Sequence, residues 1–108
     1  MGAQSLKQQL EMLERLLAQH GESGPAQRIR TALDGSNQDL QAFLTSNELW
    51  GGAGSIADQA GVDKGRDVRS SIEAALAKLG RDQISQGVVN VRTDMWVDAF
   101  SKWQREGI

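Results

Sequence analysis

The stretch LWGGAGSIADQAG, residues 49–61 and hereafter the glycine segment, interrupts a chain whose other parts have helical periodicity. It holds four of the chain's 12 glycines and one of its three tryptophans. Glycine loses more backbone freedom on folding than any other residue. A cluster of glycines therefore indicates left-handed dihedral angles, a close backbone approach or a loop that contacts something.

The first helix is predicted over residues 5–19, where leucines recur at the three-to-four spacing of one buried face. Ser5 and Gln8 have the spacing of a capping box, which pairs the first backbone N–H groups of a helix with side chains. Gly21 is the expected left-handed terminator, and His20 lies near the negative end of the helix dipole.

Two further helices are predicted ahead of the glycine segment. Residues 26–34 carry apolar side chains at helical spacing after a turn in which Pro25 can open the helix. Ser36 and Asp39 then cap a short third helix that ends near residues 46–47.

Two helices are predicted after the glycine segment. The first covers residues 63–86 and ends at Gly87, with Gly80 as a point where it can break. Residues 88–91 fit either a short strand or the start of the next helix. The spacing of apolar residues from there on predicts an amphipathic helix over residues 90–105.

These patterns predict an all-α protein, a compact bundle of four to five helices in one domain, residues 1–108. The glycine-rich loop is expected between the third helix and the long fourth helix. The chain has no cysteine, which excludes disulfides and thiolate metal sites and suits a reducing compartment. We find no apolar run resembling a secretory signal in residues 1–10, nor one that spans a bilayer. We therefore expect a cytoplasmic protein with no membrane partner.

The net charge is −2, but the charges are unevenly placed. Between Arg30 and Lys64 the chain has no Lys or Arg, while five carboxylates fall there, namely Asp34, Asp39, Glu48, Asp58 and Asp63. Such an acidic middle repels nucleic acid and steers a basic partner. The alternative interpretation is an ordinary solvated surface.

The glycine segment has a structural and a functional interpretation. In the structural one, the glycines let the backbone pass closely over Trp50, Ser55 caps a short helix and Asp58 binds loop amides. In the functional one, the segment cradles a phosphate or presents a binding surface. It lacks the lysine of a phosphate-binding loop, and no strand precedes it. With one histidine in the chain, we predict no catalytic, cofactor or metal residues.

Tryptophan is frequent at binding hot spots, and its position decides which residues can serve as anchors. Trp50, beside the glycines, is predicted to be an exposed anchor. Trp96 and Trp103 lie seven residues apart on one helical face, and Trp96 is predicted to be buried.

Residues 49–58 resemble a Gly-Gly-x-Gly-Ser-x-x-Asp box of small bacterial domains, some of which resemble immunity proteins of toxin systems. The matching residues are Gly51, Gly52, Gly54, Ser55 and Asp58. The resemblance covers about a tenth of the chain and brings no catalytic residues. It implies a small antidote-like binding protein.

The leading hypothesis is a non-enzymatic module that occludes a basic toxin or another protein. Its predicted partner-binding residues are Asp39, Glu48, Trp50, Gly51, Gly52, Gly54, Ser55 and Asp58. The alternative hypothesis is a small anionic-ligand-binding or enzyme-like domain that uses the loop of residues 51–55. Self-association through the aromatic C-terminal helix, giving a homo-oligomer, stays open.

Overall fold

Seven helical segments make up most of residues 5–106, the part of the chain that the computed structural model describes. In chain order they are α1 (Leu6–Gln19), α2 (Ser23–Asp34), α3 (Asn37–Leu44), α4 (Asn47–Trp50), α5 (Ile56–Gln59), α6 (Arg66–Gln86) and α7 (Thr93–Glu106). Within residues 5–106 there is no strand, so the predicted all-α class is confirmed. Residues 1–4 and 107–108 lie outside the described residues. They include part of the stretch, residues 1–10, in which no secretory signal was predicted.

Local side-chain caps start two of the helices as predicted. At α1, Ser5 Oγ accepts from the backbone N–H of Gln8 at 3.1 Å, and Gln8 Oε1 accepts from the Ser5 N–H at 3.0 Å. At α3, Ser36 and Asp39 make the same reciprocal pair, with both distances 3.1 Å. These bonds satisfy N–H groups that the first helical turn leaves without partners.

Three helices, α2, α6 and α7, start at other residues than predicted. α2 begins at Ser23, three residues early, so Pro25 lies inside its first turn, where no N–H donor is needed. α6 begins at Arg66 rather than at residue 63, because Gly65 has a φ of +100°, which is not helical. The region predicted as a loop also holds two four-residue helices: α4, which was not predicted, and α5, the short helix that Ser55 caps.

Residues 88–91, left open between strand and helix, form neither. The backbone N–H of Val88 donates to the carbonyl of Gln83, which closes the end of α6. The N–H of Asn90 donates to Thr93 Oγ1 at 2.9 Å, so Asn90 precedes the helix and α7 begins at Thr93. The predicted start of α7 at residue 90 was therefore three residues early.

The helices pack around one apolar core. The end of α1 lies near the start of α6, where Lys64 pairs with Glu22 at 3.7 Å. The start of α1 lies near the end of α6, where Gln9 donates to Asp82. α1 and α6 are therefore antiparallel, and α7 packs against α6. The largest fully buried side chains are Leu10, Leu13, Leu17, Ile29, Leu44, Leu49, Trp50, Ile56, Ile72, Leu76, Leu79 and Phe100. None of the helices in residues 5–106 is long and apolar enough to cross a bilayer.

Gly80 does not break α6, contrary to the possibility that the sequence raised, and the helix continues to Gln86. A Cβ atom at this position would overlap Cγ2 of Val97 and lie 3.2 Å from Cη2 of Trp50. Glycine is thus present because α7 and the indole of Trp50 both approach the α6 backbone here.

Candidate functional site

Trp50 is not the exposed anchor that the sequence predicted, since its side chain is 0% exposed. Its indole Nε1 donates to Oε1 of Gln83 on α6 at 3.0 Å. The indole packs against the α6 backbone at Gly80. If Trp50 were exposed, this space would be an empty cavity in the core. The predicted apolar anchor is therefore a core residue.

Trp96, predicted to be buried, is only partly buried. Its Nε1 donates to the carbonyl oxygens of Trp50 and Gly51, each at 3.1 Å. Its ring stacks on Phe100, with the ring centres 5.3 Å apart. Trp96 thus covers the end of α4, while Trp50 and Phe100 take the fully buried positions.

Gln83 is the residue that the sequence analysis missed. It is 0% exposed and donates from Nε2 to the carbonyls of Leu44 and Val88, each at 2.8 Å, while accepting from Trp50. One side chain thus connects α3, α4, α6 and the loop before α7. The available signal was that Gln83 lies four residues after Leu79 and seven after Leu76, on the same face of α6 as these buried leucines. A buried polar group there needs hydrogen-bond partners.

The Gly-Ser-x-x-Asp part of the glycine segment is a closed hydrogen-bonded unit. Ser55 Oγ accepts from the N–H of Asp58 at 3.2 Å and donates to the carbonyl of Gly51 at 2.9 Å. Asp58 accepts from the Gly54 N–H at 3.1 Å and from the Gln59 amide at 2.7 Å. The amide of Gln59 and then the N–H of Gly54 hold the pKa of the Asp58 carboxyl below its usual value. This geometry confirms two parts of the structural interpretation, namely that Ser55 caps a short helix and that Asp58 binds a loop amide.

Two glycines of this segment adopt left-handed backbone angles, with φ of +89° at Gly54 and +77° at Gly61. The N–H of Gly61 donates to Glu22, which also pairs with Lys64. The segment is therefore tied at its end to the turn between α1 and α2.

The closed unit also bears on the anionic-ligand alternative. The N–H groups of Gly54, Ser55 and Asp58 already donate to Asp58, Gly52 and Ser55 respectively. The carboxylate of Asp58 takes the place that a bound anion would occupy. The described geometry therefore gives this alternative no observation in its favour.

The predicted partner-binding residues separate by exposure. Trp50, Gly51 and Ser55 are buried, which corrects their assignment to an accessible surface. Gly52 and Asp58 are partly exposed, and Asp39, Glu48 and Gly54 are exposed. Arg92 lies over Gly52, where a Cβ atom would be 3.8 Å from its guanidinium nitrogen Nη1.

Two of the accessible carboxylates line the same groove, hereafter the acidic groove. It is an open groove of about 560 Å³ between α2, α3 and α4. Asp39 borders it from α3 and Glu48 from α4, with Phe43 in its lining. The complete lining is Arg28, Thr31, Ala32, Asp39, Ala42, Phe43, Ser46 and Glu48. Asp58 does not line it.

Within residues 5–106, no three His, Asp or Glu side chains lie close enough together to hold a metal ion. Comparison with known proteins gives no match to a protein-family model, to a curated protein or to a solved structure.

Proposed function

We propose that this chain is a non-enzymatic protein-binding module that takes a basic segment of another protein into the acidic groove. An immunity protein that covers a toxin's active site is the specific form of this proposal. The observation that carries it is that Asp39 and Glu48, on different helices, are both exposed and line the same groove. The resemblance of residues 49–58 supports the same class of protein.

The groove has the chemistry for a basic segment with apolar side chains. Its two carboxylates, Asp39 and Glu48, outnumber the one cation of the lining, Arg28, and can pair with Lys or Arg of a partner. Phe43 and the neighbouring alanines add apolar groups to the lining. Asp39 already accepts from the Ser36 N–H, which holds its carboxylate in place. A carboxylate held in advance loses less conformational entropy when a partner binds.

The experiment is capture of partners from the source cells with the tagged chain, followed by binding measurements with the purified partner. The test variant is D39N/E48Q, in which the amide that replaces the Asp39 carboxylate keeps an oxygen that can accept from Ser36. The matched control is D63N/E106Q, which makes the same charge change at exposed positions outside the acidic groove. Circular dichroism checks that both variants stay folded.

We expect the wild-type chain and the control to retain one stoichiometric partner with a basic surface. Loss of two exposed ion pairs should weaken binding by about 2-fold to 30-fold, at about 0.2–1 kcal/mol each. The loss should lie mainly in the association rate, which should fall as salt is raised. Equal affinity of D39N/E48Q and the control for the partner would overturn the proposal.

A further inference from the structure

The second groove of interest lies between the antiparallel helices α1 and α6, away from the acidic groove. It has a volume of about 360 Å³ and an apolar lining from Met12, Leu13, Leu16 and Ala75. Met12 is 50% exposed there. Methionine is flexible and polarisable, so it adapts to the shape of an incoming side chain.

This α1–α6 groove has a cationic rim. Arg15 of α1 and Lys78 of α6 line it from its two sides. The carboxylate of Asp82, near one end, accepts a hydrogen bond from Gln9. An apolar lining between two cations fits an occupant that presents apolar side chains flanked by carboxylates.

The start of α7 presents such a surface, hereafter the acidic ridge. Val91, two residues ahead of the helix, is 94% exposed, and Met95 is 48% exposed. Asp94 and Asp98 are exposed and lie four residues apart, on the same face as Met95. The neighbouring cation Arg92 lies over Gly52.

We propose that the acidic ridge of one copy of this chain docks into the α1–α6 groove of a second copy. Val91 and Met95 would cover Met12 and Leu16, and the carboxylates would face the cationic rim. The proposal differs from self-association through the aromatic face of α7. The aromatic side chains of that face, Trp96, Phe100 and Trp103, already pack against the core.

This contact is heterologous, because each copy uses a ridge and a groove that are different surfaces. In a docked pair, one copy still has an unoccupied groove and the other an unoccupied ridge. Further copies can therefore add at both ends, so oligomers larger than dimers form as the concentration rises. The patches are small, and an interface below about 1,200 Å² in total is typical of weak, transient association.

The first measurement is the average mass of the wild-type chain by sedimentation or light scattering. We expect it to rise from the monomer's 11.7 kDa to more than twice that value. The rise should occur between about 10 μM and 1 mM, the range of weak interfaces, and should shrink at high salt.

Two variants separate the two surfaces. V91K/D98K removes the ridge, and R15E/K78E reverses the rim of the groove. Each alone should lower the association constant at least about tenfold, since like charges then face each other. If a double variant fails to fold, V91K and R15E replace them, because both positions are exposed.

Matched controls make the same charge changes at other exposed positions. Q38K/E106K is the control for the ridge variant, and K7E/R105E is the control for the groove variant. Both controls should associate like the wild-type chain.

The decisive step is mixing the two defective variants. V91K/D98K keeps the wild-type groove and R15E/K78E keeps the wild-type ridge, so an equal mixture should associate at concentrations at which each variant alone stays monomeric. The altered ridge and the altered groove also carry opposite charges, so the mixture should grow beyond dimers. A wild-type chain that stays monomeric up to about 1 mM would overturn the proposal. So would failure of the mixture to pair, or binding of a different protein's acidic helix in this groove of a monomeric chain.

Discussion

Trp50 and Gln83 are joined in the core by a hydrogen bond of 3.0 Å from indole Nε1 to the amide Oε1, with both side chains 0% exposed. The two residues are 33 positions apart in the chain. The glutamine can lie in an apolar core because its amide oxygen accepts from Trp50 and its amide nitrogen donates to two backbone carbonyls. The same bond places Trp50, and with it the start of the glycine segment, in the core.

The first prediction concerns this hydrogen bond. Trp50→Phe keeps an aromatic ring but leaves Gln83 Oε1 without its donor. We expect a loss of about 1–3 kcal/mol for the unsatisfied group, with a further loss from the smaller ring. Urea unfolding followed by circular dichroism measures it. Trp103→Phe, at a partly buried position, should lose less, and equal losses would contradict this account.

The second prediction concerns the close approach at Gly80. Alanine in a helix is usually more stable than glycine by about 1 kcal/mol. Here Gly80→Ala should instead destabilise by about 1–3 kcal/mol, because its Cβ overlaps Val97.

The second substitution Val97→Ala should rescue part of the loss caused by Gly80→Ala, since it removes the overlapping methyl group. A double-mutant cycle measures this coupling. Gly24→Ala, at a helical position with no atom within 4 Å of the added Cβ, should be neutral or stabilising. Additive effects at Gly80 and Val97 would show that their contact is unimportant.

The third prediction contrasts two arginines. Arg69, which is largely buried, donates to Glu73 at 2.9 Å and to the carbonyls of Ala57 and Ala60 at 2.9 and 2.6 Å. Its guanidinium lies 5.5 Å from the ring centre of Phe100.

Replacement of Arg69 by Met leaves Glu73 buried without its partner, so we expect a loss of about 3 kcal/mol or more. Arg30→Met breaks a more exposed pair with Glu14 and should lose about 1 kcal/mol or less. Thermal unfolding should separate the two by roughly 8 °C or more, at about 4 °C per kcal/mol. Similar melting temperatures for both variants would show that the buried hydrogen bonds of Arg69 stabilise the fold no more than the exposed pair of Arg30 does.

The fourth prediction is a pH dependence. The ordinary pKa of an Asp carboxyl is 3.8, and in the folded state hydrogen bonds from Gln59 and then Gly54 lower the pKa of Asp58 below that value. The unfolded chain therefore takes up this proton at a higher pH than the folded chain does. The stabilisation is complete well above pH 3.8 and is lost as the pH falls through the folded-state value.

The comparison for this pH dependence is Asp58→Asn, which keeps an oxygen for the Gly54 N–H but does not titrate. The stability difference between wild type and variant should be constant near pH 6 and shrink at pH values below about 3.8. Urea unfolding at a series of pH values measures it. A difference that stays constant down to about pH 2 would exclude Asp58 as the group responsible.

Much of the local structure could be predicted from neighbouring residues. The capping boxes at Ser5 and Ser36, the cap at Ser55 and the left-handed Gly87 depend on contacts within a few positions. The starts of α2, α6 and α7 were wrong by three residues each, because helix starts also depend on backbone angles such as that of Gly65.

The sequence by itself determined the all-α class, the capped helix starts and the closed Ser55–Asp58 unit, because each rests on periodicity or on contacts between near neighbours. Only the tertiary structure decided that Trp50 is buried, since Gln83 and Gly80, more than 25 positions away, form its surroundings. It also decided that Asp39 and Glu48 share one groove. Burial and juxtaposition are properties of the packed chain, and no local pattern of residues specifies them.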